Sequence, residues 1–118
     1  MTTDWTPERI EELRSWCEKR IAEKNYIKGI AEQINSLNSL NDQVRRAYEI
    51  NLSYSELEIM WAMQTRMEKS ITMKIKHFFV MVYGKENVFN HNLKGKDYLQ
   101  HYFTFKDFVE PQYSVKIN

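Results

Sequence analysis

The sequence predicts a mainly α-helical protein with a head of three short helices, a long central helix and a small aromatic α+β tail. Apolar residues recur at three- and four-residue steps through most of the first 83 residues. Capping residues precede the two longest periodic stretches. After Gly84 the chain becomes polar and then rich in aromatic residues. We therefore divide it into a head (1–54), a central helix (55–84) and a tail (85–118).

The composition describes a folded and nearly neutral chain. Of the 118 residues, 42% are hydrophobic and 14% aromatic, which is enough for one core. The formal net charge is +1: residues 1–54 carry 8 basic and 9 acidic residues, and residues 55–118 carry 9 and 7. This balance gives little long-range attraction to nucleic acid or to an anionic membrane, so binding to a polyanion would need a local patch.

Several functional classes find no support in the sequence. Cys17 is the only cysteine, which excludes an intrachain disulfide and favours a reducing, cytoplasmic setting. The N-terminus lacks the pattern of a signal peptide, and no apolar run approaches the ~20 residues of a membrane span. The histidines have no zinc-site spacing, and no nucleophile stands in a catalytic frame. We expect no enzymatic activity, no metal site and no cofactor.

The head is predicted to contain three helices. The first, over 7–24, begins after Thr6, whose side chain can cap it. The second covers 26–36 and the third 41–52, with a turn rich in Ser and Asn at 36–41 between them. The side chains expected to face the core are Ile10, Leu13, Trp16, Cys17, Ile21, Tyr26, Ile27, Ile30, Ala31, Ile34, Leu40, Val44, Tyr48 and Leu52.

The central helix is predicted to bury its core face in the head and another face in a second subunit. Ser55 and Glu58 have the spacing of a capping box, and Gly84 fits the end of a helix. Apolar side chains occur on more than one side of this helix, so a single neighbour would not cover them. The sequence therefore predicts a homo-oligomer.

In the tail, a short helical turn is expected over 98–102. Alternation of apolar and polar residues over 103–105 and 113–117 predicts a hairpin around Pro111. Packing of the tail aromatics in a small lobe is favoured over stacking on single-stranded bases.

Residues 5–52 resemble a Myb/SANT-like, homeodomain-like trihelical domain. The Trp-Thr-x-Glu opening of that family is matched at residues 5–8, and Leu13 and Trp16 follow it. In its second helix the family has an aromatic residue before an Ile-Ala pair, which is matched by Tyr26 upstream of residues 30–31. The pattern of its third helix is matched by Gln43, Val44, Arg45, Tyr48 and Leu52. The opening is also similar to the GcrA-type domain of bacterial cell-cycle regulators. The resemblance implies a helix-turn-helix fold whose third helix binds either the DNA major groove or a protein.

The resemblance implies site residues on the third helix. Arg45 and Arg46 would contact bases or phosphates. Glu49 and Ile50 occupy the next contact positions of the family. A carboxylate there repels phosphate, and isoleucine offers no hydrogen bond to a base edge. The full candidate set for DNA is Ser39, Asn41, Gln43, Arg45 and Arg46. The candidate set for a protein partner is Glu49, Ile50, Met60, Met63 and Met67.

Three functional hypotheses follow. The first is a small DNA-binding regulator, with a phage or plasmid as a candidate source, that dimerises through residues 56–83. The second is an adaptor or inhibitor that binds a protein and not DNA. The third is a ring-forming accessory protein of DNA packaging or replication. None of the three involves a membrane.

Overall fold

The computed structural model describes residues 4–84 and 97–118, and these form three helices. The helices are α1 (Pro7–Glu49), α2 (Tyr54–Tyr83) and α3 (Tyr98–Tyr113). The chain measures 71 × 26 × 19 Å along its principal axes, so it is elongated. The mainly α-helical class predicted from the sequence is confirmed.

The first two helices form an antiparallel hairpin. Near the turn, Gln64 Nε2 donates a hydrogen bond to Asn41 Oδ1 at 2.7 Å. Further along, the rings of Tyr26 and Phe78 stack with their centroids 6.4 Å apart. α3 runs in the same direction as α2, because it begins beside Asn41 and ends against Glu23.

α1 passes without interruption through the turn predicted at 36–41, so the three helices predicted in the head are one helix of 43 residues. Buried side chains continue at three- and four-residue steps through this stretch, at Ile27, Ile30, Ile34, Leu37, Leu40, Val44 and Ala47. Ser36 Oγ donates to the Glu32 carbonyl at 3.1 Å, which satisfies the hydroxyl within the helix. Packing of Leu37 and Leu40 therefore outweighs the turn preference of Ser and Asn, and the helix boundaries predicted for a trihelical head are wrong.

Two of the predicted helix caps are confirmed and one is misplaced. Thr6 caps α1 as expected, with its Oγ1 accepting from the Arg9 amide at 3.2 Å. Gly84, at φ 85°, ends α2 as expected. The N-cap of α2 is Ser53 and not Ser55, because the Ser-x-x-Glu spacing occurs twice and the structure uses the first copy.

A helix replaces the predicted C-terminal hairpin. His101, Phe105, Val109 and Tyr113 are buried at four-residue steps on one face of α3. Pro111 lies exposed in the last turn, where the helix tolerates it, and the described part of the tail contains no strand. The prediction of an α+β tail was therefore wrong, since a short aromatic alternation also fits one face of a helix.

The last residues fold back over the groove between α1 and α3. Ser114, at φ 54°, ends α3 and reverses the chain. Ile117 is then fully buried, and its amide donates to Glu110 Oε2 at 2.9 Å. Asn118 Nδ2 donates to Asn35 Oδ1 at 2.6 Å, which ties this segment to α1.

Phe78 is the centre of the core. Its ring meets Phe105 of α3 edge-on at 5.5 Å, Tyr113 at 6.2 Å and Tyr26 of α1 at 6.4 Å. Edge-to-face and offset-stacked pairs of this kind add to the hydrophobic gain of burial. One side chain therefore joins all three helices near one end of the hairpin.

Candidate interaction surface

The N-terminal part of α1 projects beyond the two other helices. From the contacts of Tyr26 with Phe78 and of Asn41 with Gln64, the end of α2 at Tyr83 is level with about residue 21 of α1. α3 ends against Glu23. Residues 7–20 therefore extend α1 by about 20 Å past its partners. We call residues 4–21 the arm, and the rest of the described chain the bundle.

The arm carries large apolar side chains that remain exposed. Trp5, Ile10, Leu13, Trp16 and Ile21 are between 47% and 62% exposed, and none of residues 4–22 is buried. The apolar side chains that were expected to be buried in this stretch are therefore exposed to solvent, because α2 and α3 end before they reach it. Periodicity had correctly indicated an apolar side of the helix, but among residues 4–84 and 97–118 no helix covers that side in the arm.

The apolar side of the arm continues the buried stripe of the bundle. Stepping back from Ile27 by four and three residues leads through Glu23, Arg20 and Trp16 to Leu13. Cys17 lies next to this line and is half-buried. The same face of one helix is thus covered by α2 and α3 in the bundle and left open in the arm.

A recess of about 240 Å³ lies where the arm leaves the bundle. Its walls include Trp16 and Arg20 from α1, Val82 from α2, and Phe108 and Tyr113 from α3. It combines aromatic and aliphatic walls with polar atoms, and it is partly open to solvent. All three helices contribute to it.

A polar cluster fixes the walls of this recess. The Tyr113 hydroxyl donates to Glu23 Oε2 at 2.6 Å, and Arg20 Nη1 lies 3.9 Å from the same oxygen. The Arg20 guanidinium also lies over the Tyr113 ring, 3.9 Å from its centroid, and donates to the Gln112 carbonyl. The end of α3 is therefore attached to α1 at the root of the arm.

Charge is distributed unevenly along the arm and its root. Residues 4–12 contain 4 acidic residues and 1 basic residue, for a net charge of −3. Residues 14–24 contain 4 basic and 2 acidic residues, for a net charge of +2. The arm is thus acidic at its free end and basic where it joins the bundle.

The candidate DNA contacts lie near the opposite end of α1. Ser39, Asn41, Gln43, Arg45 and Arg46 are all exposed there, on a helix continuous with the arm. Arg45 Nη2 is 2.7 Å from Asp42 Oδ1 in an exposed ion pair, and Asn41 accepts from Gln64. These residues share one end of the hairpin, and their binding to DNA stays a prediction.

The candidate protein contacts are only partly on the surface. Glu49, Ile50 and Met63 are exposed, while Met60 is half-buried and Met67 packs against the core. The methionines therefore do not form one open surface.

Sequence reasoning missed an aromatic cluster beside the candidate protein contacts. Tyr48 and Tyr54 each lie about 6 Å from Trp61, at 6.0 and 5.9 Å between ring centroids. Tyr48 had been predicted to face inward but is 54% exposed. Leu52, also predicted to face inward, is half-buried and lies beyond the end of α1.

Another cavity is a groove between α1 and α2. It has a volume of about 330 Å³, with Gln33 and Ser36 on one side and Arg66, Ser70 and Ile71 on the other. Gln33 Oε1 is buried there without a hydrogen-bond partner. The groove lining contains neither a histidine nor a carboxylate to serve as a general base.

Within residues 4–84 and 97–118, no group of three or more His, Cys, Asp or Glu side chains is placed to hold a metal ion. No helix in the same residues is both long and apolar enough to cross a membrane. Comparisons with protein-family models, curated proteins and solved structures find no match to this chain.

Proposed function

We propose that this protein is a self-assembling helical adaptor in which two copies bind each other through their arms. The observation that carries the proposal is the apolar side of the arm, whose helical part projects about 20 Å and which no described residue buries. The bundle would then be displayed at each end of the pair, where the exposed aromatic cluster around Trp61 lies.

An open apolar stripe on a helix favours a helical partner. Side chains at three- and four-residue steps form ridges that fit the grooves of a second helix. Trp5, Leu13 and Trp16 are large, so their removal from water would contribute most of the binding energy. Within the bundle, the continuation of the same stripe already packs against α2 and α3.

The charges of the arm favour a second copy of the same chain as this partner. An acidic segment and a basic segment lie on one helix, with net charges of −3 over residues 4–12 and +2 over residues 14–24. Two such arms can place opposite charges against each other, whereas a uniformly charged arm would repel its own copy. The pair is self-complementary, as a two-fold interface requires.

The test compares two glutamate substitutions in the same turn of the arm. Leu13→Glu introduces a charge on the apolar side and is expected to shift the protein from dimer to monomer in sedimentation velocity. Ser15→Glu adds the same charge on the opposite side of the helix and is expected to leave the dimer intact. Both positions are exposed in the single chain, so neither substitution should unfold the bundle.

Circular dichroism of both variants provides the control for folding. A wild-type protein that sediments as a monomer at every concentration would contradict the proposal. Equal loss of the dimer in both variants would also contradict it, because the effect would then come from charge alone and not from the apolar side.

A further inference from the structure

We infer that the two arms pair antiparallel and that Trp5 of each copy inserts into the recess at the root of the partner's arm. This inference rests on the proposed function, since it names the binding mode of the same surface. It assigns the recess lined by Trp16, Phe108 and Tyr113 as the receiving site.

The charge distribution selects the orientation. In an antiparallel pair, the acidic segment of one arm, residues 4–12, lies beside the basic segment of the other, residues 14–24. In a parallel pair, each segment would face its own copy, with −3 against −3 and +2 against +2. Charges that flank an apolar seam commonly decide the orientation of paired helices, so the antiparallel pair is favoured.

The length of the arm then brings Trp5 to the recess. When residues 4–21 of two arms overlap fully, residue 5 of one copy lies level with about residue 20 of the other. The recess is centred at that level, because α1 contributes Trp16, Arg20 and Glu23 to it. Trp5 is 57% exposed in the single chain and is available to enter.

The chemistry of the recess suits an indole ring. Phe108, Tyr113 and Val82 offer aromatic and aliphatic contacts to the body of the ring. Glu23 and Gln112 also line the recess, and carboxylate and amide oxygens can accept a hydrogen bond from the indole N–H. Because Arg20 and Tyr113 are held by the polar cluster, the walls are already in place before a partner arrives.

The orientation is tested by the distance between spin labels in the full-length dimer. Each chain carries one label at Lys28→Cys, in a Cys17→Ser background, and pulsed dipolar spectroscopy measures the separation. An antiparallel pair centred near residue 12 predicts about 45 Å between the two labels. A parallel pair would hold them within about 25 Å, because neighbouring helices lie 8–10 Å apart.

The receiving site is tested by Trp5→Ala, with Tyr54→Ala as the control. Trp5→Ala is expected to raise the dissociation constant of the dimer at least tenfold in sedimentation equilibrium. A tenfold change corresponds to a loss of about 1.4 kcal/mol of binding free energy. Tyr54 is also an exposed aromatic residue but lies at the opposite end of the bundle, so its replacement should leave the dimer unchanged.

The outcomes separate the inference from the proposed function. Labels about 45 Å apart, with a weakened Trp5→Ala dimer, would support the inference. If Leu13→Glu still dissociates the dimer, closely spaced labels or insensitivity to Trp5→Ala would overturn the inference while leaving arm-mediated assembly intact. A wild-type monomer would overturn both.

Discussion

At the scale of single residues, Glu23 marks the boundary between the covered and the open part of α1. It is the first buried residue of the helix, at 6% exposure, and its carboxylate accepts from the Tyr113 hydroxyl at 2.6 Å. A buried carboxylate is tolerated when it is hydrogen-bonded and has a cation nearby, and Arg20 lies 3.9 Å away. In the sequence, Glu23 is one of many helical glutamates, and only the packing of α3 identifies its role.

Tyr98 provides a prediction about alkaline pH. Burial, together with neighbouring Tyr102 and Glu68, raises the pKa of Tyr98 to about 12. A tyrosine in the unfolded chain has a pKa near 10. Between these values the unfolded chain loses the proton first, so the contribution of Tyr98 to stability is present below about pH 10 and lost as the pH rises toward about 12.

We therefore expect Tyr98→Phe to lose less stability than the wild type when the pH is raised from about 9 to about 11. Urea unfolding at both pH values measures the change in the free energy of unfolding. Tyr54→Phe, at a side chain that is 68% exposed, is the matched control. The same loss in Tyr98→Phe and in the wild type would contradict the assignment.

At the scale of elements, the sequence was most informative about α2. Its end at Gly84 was predicted and is confirmed, whereas its N-cap lies two residues before the predicted one, at Ser53. The reason is that Gly84 and the end of the apolar periodicity indicate the same C-terminal boundary. The self-association predicted for this helix is not tested by the structure of a single chain.

The sequence was least informative where polar residues interrupt a continuous packing face. Ser36, Asn38 and Ser39 suggested a turn, but they lie on the exposed side of α1 while Leu37 and Leu40 hold the helix against its neighbours. Local preference amounts to less than about 1 kcal/mol per residue, which two buried leucines exceed. Periodicity alone also could not show that α2 and α3 would end before they reach the apolar side of the arm.

The start of α2 gives a prediction at this scale. Ser53 Oγ accepts from the Glu56 amide, so Ser53→Ala removes a cap and should lower the free energy of unfolding by about 1 kcal/mol. Ser55 lies inside the helix and is exposed, so Ser55→Ala should have little effect or stabilise slightly. Chemical denaturation of the two variants makes the comparison. A larger loss for Ser55→Ala would place the cap where the sequence had suggested.

At the scale of the whole molecule, the proposed assembly bears on the DNA-binding hypothesis. In an antiparallel arm dimer, the two copies of Arg45 would lie about 100 Å apart. Dimeric helix-turn-helix proteins contact half-sites about 34 Å apart, so this dimer would not place both arginine pairs on one short operator. DNA binding by Arg45 and Arg46 therefore stays a separate prediction that the arm does not support.

The candidate site itself was only half predictable. The sequence indicated the arm's apolar residues and the charges of residues 4–24, because both are local patterns. The recess was not predictable, since it is formed by α1, α2 and α3 together and depends on a third helix that the sequence had suggested to be a hairpin.

Small-angle X-ray scattering of the wild-type protein tests arm-mediated assembly most directly, since it reports mass and length together. A single chain is 71 Å long. Two chains joined through overlapping arms should give twice the mass of one chain and a maximum dimension of about 120 Å. A dimer no longer than a single chain would show that the bundles associate side by side, and would contradict the proposal that the arms hold the two copies together.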